Sequence, residues 1–247
     1  MEIVSKIISN YILKFFIKNI FNLNKMNTLP KKQNKECNIP CLSRKTKKQL
    51  VKIAHDNKFK IDEKLELSDY KYQLLLKFAN KVVFAYSDID SRKYLEEIIP
   101  CFPEPMLFLG WAKYTKNYGK ICKMVSVDIN RKVNPDITAD ITKPDFVKKV
   151  KEKHKTYKSI INNGTIGWGI NNPEQIHKAL SNCKKVMSPG GYMLMGWNAM
   201  PFEGQGEDTT ITINMMKKYL KSAGFKDVKL LKSFQDEWKQ QYIICRK

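Results

Sequence analysis

Four short apolar runs, separated by helical patterns, constrain the fold of this chain more than any other feature of its sequence. They lie at residues 106–110, 123–129, 157–161 and 190–196. Apolar runs that alternate with helical segments are typical of a mostly parallel sheet covered by helices on both faces. We therefore predict an α/β fold, and we expect a ligand to bind at the carboxyl ends of the strands.

Glycine and polar residues stand at the ends of these runs, where a parallel sheet presents its ligand site. Gly110 ends the first run, and Asp128 lies near the end of the second. Asn162, Asn163 and Gly164 follow the third run. Because the carboxyl ends of parallel strands meet at one edge of a sheet, these residues are candidates for a common site.

The order of these pieces over residues 86–247 resembles that of the class I S-adenosylmethionine-dependent methyltransferases. In that family a glycine turn follows the first strand and an acid at the end of the second strand binds the ribose hydroxyls, which Gly110 and Asp128 match. A later Ala-Asp step contacts the adenine, and Asp140 matches its acid. The Pro-Gly-Gly step before the family's fifth strand is matched by residues 189–191. The resemblance implies a Rossmann-like, seven-stranded, mostly parallel sheet, with 225–231 and 241–245 as the final antiparallel pair.

The resemblance also implies a function and a set of site residues. S-adenosylmethionine would be the cofactor, held by Gly110, Asp128 and Asp140, with Asn163 and Gly164 near the methyl group. Methyl transfer from a sulfonium is an in-line displacement in which the protein mainly positions two molecules. The catalytic residue and the methyl acceptor therefore stay unassigned at this point.

Two stretches depart from the family pattern. Phe108 stands where the first strand usually has an acid, and Ala112 and Tyr114 replace two glycines of the first loop. Only a few residues join Asp128 to Asp136, so either the crossover helix is missing or the third strand is rudimentary. The first departure favours an alternative, a methyltransferase-like scaffold without cofactor that acts as a basic module binding nucleic acid or a membrane surface.

The charge of the chain is strongly positive. Its 45 lysines and arginines outnumber its 24 acids and give a formal net charge of +21. Nearly all of the basic residues are lysines, which attract polyanions without the bidentate fork of arginine. The composition predicts nonspecific contact with a polyanion or an anionic membrane surface, and not the reading of a nucleic-acid sequence.

The first hundred residues divide into a leader and a helical region. Residues 1–25 are predicted as an amphipathic leader helix, whose lysines leave no apolar run long enough to span a bilayer. Four roles of this helix remain open: it docks on the domain, lies in a membrane interface, acts as an organelle presequence, or binds a partner. Residues 26–100 are predicted as a linker and a helical cap over one end of the sheet, with its first helix at 43–57 capped by Ser43. Residues 101–247 then form the methyltransferase-like domain.

The cysteines and the leader bear on cellular location. Six cysteines are scattered along the chain, as expected of buried free thiols in a reducing compartment. Cys37, Cys41 and His55 lack a fourth ligand at the spacing of a structural zinc site, so we predict no metal. We expect an intracellular, cytoplasmic protein, with attachment to the periphery of a membrane through residues 1–24 left open.

Overall fold

The computed structural model describes residues 42–85, 91–110, 123–167, 169–198, 211–231 and 240–247. The predicted leader helix, most of the predicted linker, and Ala112 and Tyr114 of the first loop lie outside these ranges. Those predictions therefore stay as they stand.

The described residues contain one seven-stranded sheet. Its strands are β1 (Met106–Leu109), β2 (Met124–Asp128), β3 (Ile137–Thr138), β4 (Tyr157–Asn163), β5 (Met187–Asn198), β6 (Lys226–Leu230) and β7 (Gln240–Arg246). The strand order is β3-β2-β1-β4-β5-β7-β6. Strands β1 to β5 pair in parallel, and β7 runs antiparallel to both β5 and β6. The predicted α/β, Rossmann-like, mostly parallel sheet is confirmed, and so is its antiparallel final pair.

Six α-helices accompany the sheet in the described ranges. They are α1 (Lys47–Asp56), α2 (Leu67–Ala85), α3 (Ser91–Ile98), α4 (Asp145–Lys153), α5 (Pro173–Val186) and α6 (Ile213–Ser222). None of these helices is long and apolar enough to cross a membrane. The expectation that Ser43 caps the first helix is wrong, because Thr46 is the N-cap. Thr46 and Gln49 form a reciprocal capping box, which fixes the start of α1 three residues later.

Helices cover both faces of the sheet, and the pleat of the strands assigns each residue to a face. In β1, Met106 and Phe108 pack in the core shared with α1, α2 and α3. Leu107 and Leu109 pack in the core shared with α4, α5 and α6. The N-terminal helices were expected to cover one end of the sheet. They cover one face instead, because alternate strand residues present a continuous apolar surface to them.

The connection between β2 and β3 is short, as the sequence predicted. It contains a single 3₁₀ turn at Arg131–Val133, and β3 itself has two residues. Asp136 stabilises this short pairing, since its carboxylate accepts hydrogen bonds from the backbone and hydroxyl of Ser126, both at 2.7 Å. The backbone N–H of Asp136 donates back to Ser126 Oγ at 2.9 Å. The third strand is therefore rudimentary, and side-chain hydrogen bonds hold it to β2.

Candidate functional site

A pocket of about 380 Å³ opens at the carboxyl ends of the parallel strands. All five residues that the sequence singled out contribute to its lining, namely Gly110, Asp128, Asp140, Asn163 and Gly164. They come from the ends of β1, β2 and β4 and from the residues just after β3. The volume falls within the range of roughly 300 to 1,000 Å³ that is usual for small-molecule sites.

Gly110 forms the floor of the pocket where β1 ends. Its φ of +82° lies in the left-handed region that favours glycine. Its N–H donates to Val127 O at 2.9 Å, so the backbone stays pinned to β2. A Cβ on Gly110 would overlap the Thr165 hydroxyl. The position therefore requires glycine both for its dihedral angle and for the close approach of the loop after β4.

Asp128 is the last residue of β2, and its carboxylate is only partly engaged. Its Oδ1 accepts a hydrogen bond from Asn130 N at 2.7 Å, which fixes the orientation of the carboxylate. Its backbone carbonyl accepts from Ala139 N at 3.0 Å and ties the end of β2 to the residues after β3. Among the described residues no group donates to Oδ2, which leaves one oxygen for a ligand.

Asp140 belongs to a turn that also faces the pocket. Its Oδ1 accepts from the backbone and hydroxyl of Thr142, at 2.9 and 2.7 Å. The buried Asn182 of α5 donates to Ile141 O at 2.9 Å and to Lys143 O at 3.2 Å. The turn is therefore held from two sides, and Asp140 both shapes it and contributes to the pocket wall.

The two asparagines at the end of β4 have different surroundings. Asn162 is fully buried, and its amide bonds to Ile166 N at 2.9 Å, Ile166 O at 3.1 Å and Gly196 O at 3.0 Å. Asn163 lies on the opposite face of the strand and lines the pocket. Its Oδ1 accepts from Gln240 Nε2 at 2.5 Å and from Tyr242 Oη at 3.3 Å. Asn162 thus holds the following loop, and Asn163 is the one exposed to a ligand.

The loop after β4 forms one wall of the pocket. Gly164 N donates to Gly196 O at 2.8 Å, and Gly169 N donates to Gly164 O at 3.1 Å. Gly167 has a φ of +104°, and a Cβ there would come within 2.6 Å of Trp197 Cβ. The neighbouring Trp168 lies outside the described residues. Backbone hydrogen bonds and close packing therefore fix the loop at several points.

The described lining of the pocket is acidic although the chain is basic. Asp128 and Asp140 are its charged residues, and no lysine or arginine contributes to the lining among the described residues. Carboxylates without a neighbouring cation favour a ligand that carries hydroxyl groups, N–H groups or positive charge. The net charge of the chain, +21, and the charge of the described lining residues thus have opposite signs.

The structure adds lining residues that sequence reasoning missed and explains one departure. Ile129 is 69% exposed beside Asp128, and Ile141 and Ile170 complete an apolar part of the lining. An apolar residue directly after the strand-ending acid was the available signal for Ile129. Phe108, which replaces the family's acid, is fully buried in the core with the N-terminal helices. That position is a core position here and does not contribute to the lining.

The predictions about metal and thiol chemistry concern residues inside and outside the described part of the chain. No group of three or more His, Cys, Asp or Glu side chains is arranged there to hold a metal ion. Cys37 and Cys41 lie outside it. Cys101, Cys183 and Cys245 are buried, and burial raises the pKa of the Cys183 and Cys245 thiols. These two thiols are therefore protonated and unreactive at neutral pH.

Comparison with known proteins gives similarity in structure but not in sequence. No protein-family model matches the chain, and no curated protein matches its sequence. The N-methyltransferase NodS from Bradyrhizobium japonicum, solved with S-adenosyl-L-homocysteine, is 11% identical with a TM-score of 0.47, covering 68% of this chain and 98% of its own. A SAM-dependent methyltransferase from Archaeoglobus fulgidus is 16% identical with a TM-score of 0.47, covering 64% and 93%. Human N-acetylserotonin methyltransferase, solved with SAM, is 15% identical with a TM-score of 0.44, covering 81% and 65%.

Proposed function

We propose that this chain is an S-adenosylmethionine-dependent methyltransferase whose cofactor binds in the pocket at the carboxyl ends of the strands. One observation carries the proposal. The five residues chosen from separate stretches of the sequence, Gly110, Asp128, Asp140, Asn163 and Gly164, all line this pocket. The methyl acceptor stays unassigned, because a fold and a cofactor pocket do not define it.

The shape of the pocket floor supports a ligand that approaches the backbone closely. Gly110 and Gly164 both have positive φ, and neither places a side chain into the pocket. Such positions let a ligand contact backbone N–H and C=O groups directly. S-adenosylmethionine would supply an activated methyl group on its sulfonium sulfur, so the main task of these residues is to hold and orient it.

The polar groups of the pocket suit a ribose and a purine. Asp128 Oδ2 has no donor among the described residues, so it is available to accept hydrogen bonds from ribose hydroxyls. Asp140 lines the same pocket, and its carboxylate would accept a hydrogen bond from an exocyclic amino group. Ile129 and Ile141 offer apolar surface against which a purine ring can pack and exclude water. The two carboxylates also favour a ligand with a positive sulfonium, since opposite charges attract strongly at short range.

Calorimetric titration of the full-length protein with S-adenosylhomocysteine tests the proposal. We expect saturable binding to the wild type. Asp128→Ala should weaken binding by about 2 to 3 kcal/mol, or roughly 30- to 150-fold, because hydrogen bonds to a charged group are lost. The matched control is Asp145→Ala in the first turn of α4, an exposed acid that pairs with Lys149 outside the pocket lining. We expect this control to bind as the wild type does.

Two outcomes would contradict the proposal. Folded wild-type protein that gives no heat with millimolar ligand would leave the alternative, a scaffold without cofactor that binds polyanions. Equal affinity of Asp128→Ala and wild type would show that the ribose does not contact Asp128.

A further inference from the structure

The geometry points to Asn163 as the residue that binds a carboxylate on the ligand, with Gln240 and Tyr242 as positioning residues that orient its amide. This inference rests on the proposed function, in which the carboxylate belongs to the amino-acid half of the cofactor. It assigns a role in cofactor selectivity to two residues of β7 that lie far from β4 in the sequence.

The hydrogen bonds of Asn163 determine which end of its amide faces the ligand. Gln240 Nε2 and Tyr242 Oη both donate to Oδ1, so the amide oxygen is turned toward β7. An asparagine amide carries two donors on its nitrogen. In the part of the chain that the structure describes, no group pairs with Nδ2. Because Asn163 lines the pocket, its N–H groups are the polar feature that it offers to a ligand.

The architecture of β5 and β7 makes this orientation specific. Gln240 begins β7, and the antiparallel direction of β7 brings it to the carboxyl edge of the sheet, opposite Asn198 of β5. Gln240 and Tyr242 are buried, so their contacts are shielded from water. Gly196 of β5 lies between Asn163 of β4 and Tyr242 of β7, and it is paired with both across the sheet. A Cβ there would come within 3.1 Å of Asn163 Oδ1 and even closer to the ring of Tyr242.

The pocket thus has two ends of different polarity. Asp128 and Asp140 provide acceptors at one end, whereas Asn163 provides donors at the other. Lysine and arginine, the usual partners of a carboxylate, do not occur among the described lining residues. A ligand that fits carries hydrogen-bond donors on one half and an oxygen acceptor on the other. A nucleoside joined to an amino acid has that arrangement.

The test compares two ligands that differ by one carboxylate. S-adenosylhomocysteine and its decarboxylated analogue are titrated into full-length wild type and Asn163→Asp. Asp keeps an acceptor oxygen for Gln240 and Tyr242 but replaces the donor with a negative oxygen. We expect affinity for S-adenosylhomocysteine to fall at least about tenfold, the scale of a lost hydrogen bond to a charged group. Affinity for the decarboxylated analogue should change by less than about twofold. The analogue lacks the carboxylate, so the substitution at Asn163 has no interaction with that group to remove.

Tyr242→Phe separates positioning from folding, and it serves if Asn163→Asp does not fold. It removes one of the two bonds that orient the amide and keeps the aromatic ring. We expect a loss of about threefold for S-adenosylhomocysteine and no loss for the analogue, a selective effect that a merely structural role would not give.

Three results would overturn the inference. Asn163→Asp that binds S-adenosylhomocysteine as tightly as wild type would mean that the amide presents its oxygen to the ligand. Equal losses for both ligands in both variants would mean a structural role. Wild type that binds neither ligand would refute the proposed function and the inference with it. The titration of wild type therefore comes first.

Discussion

Replacing Asn162 with alanine should destabilise the protein strongly, because this side chain carries the loop that walls the pocket. Its amide makes hydrogen bonds to both backbone groups of Ile166 and to Gly196 O. Ile166 is fully buried, so water does not replace the lost partners. Gly196 O keeps its bond from Gly164 N and stays paired.

The expected loss of stability follows from the two backbone groups of Ile166 that would lose their hydrogen-bond partner. In the variant, the buried N–H and C=O of Ile166 lose the Asn162 amide as their hydrogen-bond partner. Each buried group left unpaired lowers the free energy of unfolding by about 1 to 3 kcal/mol. We expect the free energy of unfolding to fall by about 3 kcal/mol or more. With urea dependences of about 1.5 to 3 kcal/mol per molar, the unfolding midpoint should drop by about 1 to 2 M.

Urea unfolding followed by tryptophan fluorescence measures this drop. Asn214→Ala is the matched control, since it makes the same substitution at an exposed position of α6. We expect the control to change the free energy of unfolding by less than about 0.5 kcal/mol. If both variants lose the same small amount, Asn162 does not support the loop, and our reading of its hydrogen bonds is wrong.

Two further predictions concern the pocket floor and the core. Gly110→Ala and Gly164→Ala should each lower the free energy of unfolding by about 1 to 2 kcal/mol, because alanine is strained at the positive φ of these positions. Gly110→Ala should lose more, and lose ligand affinity, because only its Cβ overlaps Thr165; equal losses in urea unfolding would contradict this. Burial raises the pKa of Tyr157 from 10.0 to about 12, so the folded state keeps a proton that the unfolded state releases, and stability should fall as pH rises from 10 to 12. Tyr157→Phe should flatten that fall in unfolding measured against pH, and an unchanged slope would show that another group titrates.

The fold was predictable from the sequence because its signals are local. An apolar run that ends in glycine or an acid marks both a strand and its carboxyl end, as at Gly110 and Asp128. Parallel pairing then brings those ends to one edge regardless of which strands are neighbours. Gly110, Asp128, Asn163 and Gly164 could therefore be named without knowledge of the strand register, whereas Asp140 was named from the family resemblance.

The rest depends on contacts between distant segments. The partners of Asn163, Gln240 and Tyr242, follow it by 77 and 79 residues, and nothing local to β4 indicates them. The different roles of Asn162 and Asn163 follow from which face of β4 each occupies, since one step along a strand reverses the face. The start of α1 does not depend on distant contacts. Thr46 and Gln49 have the spacing of a capping box, so the sequence alone could have indicated it.

Hydrogen–deuterium exchange of the full-length protein, with and without S-adenosylhomocysteine, tests most directly whether the cofactor occupies the predicted edge of the sheet. Ligand should slow exchange in residues 109–110, 128–130, 139–143 and 163–167, which surround the pocket. Residues 188–192 serve as the internal control, because they line a second pocket of about 570 Å³ at the amino ends of the strands. The account predicts protection of the first group and unchanged exchange in the control. Protection confined to the control, or no change at saturating ligand, would contradict it.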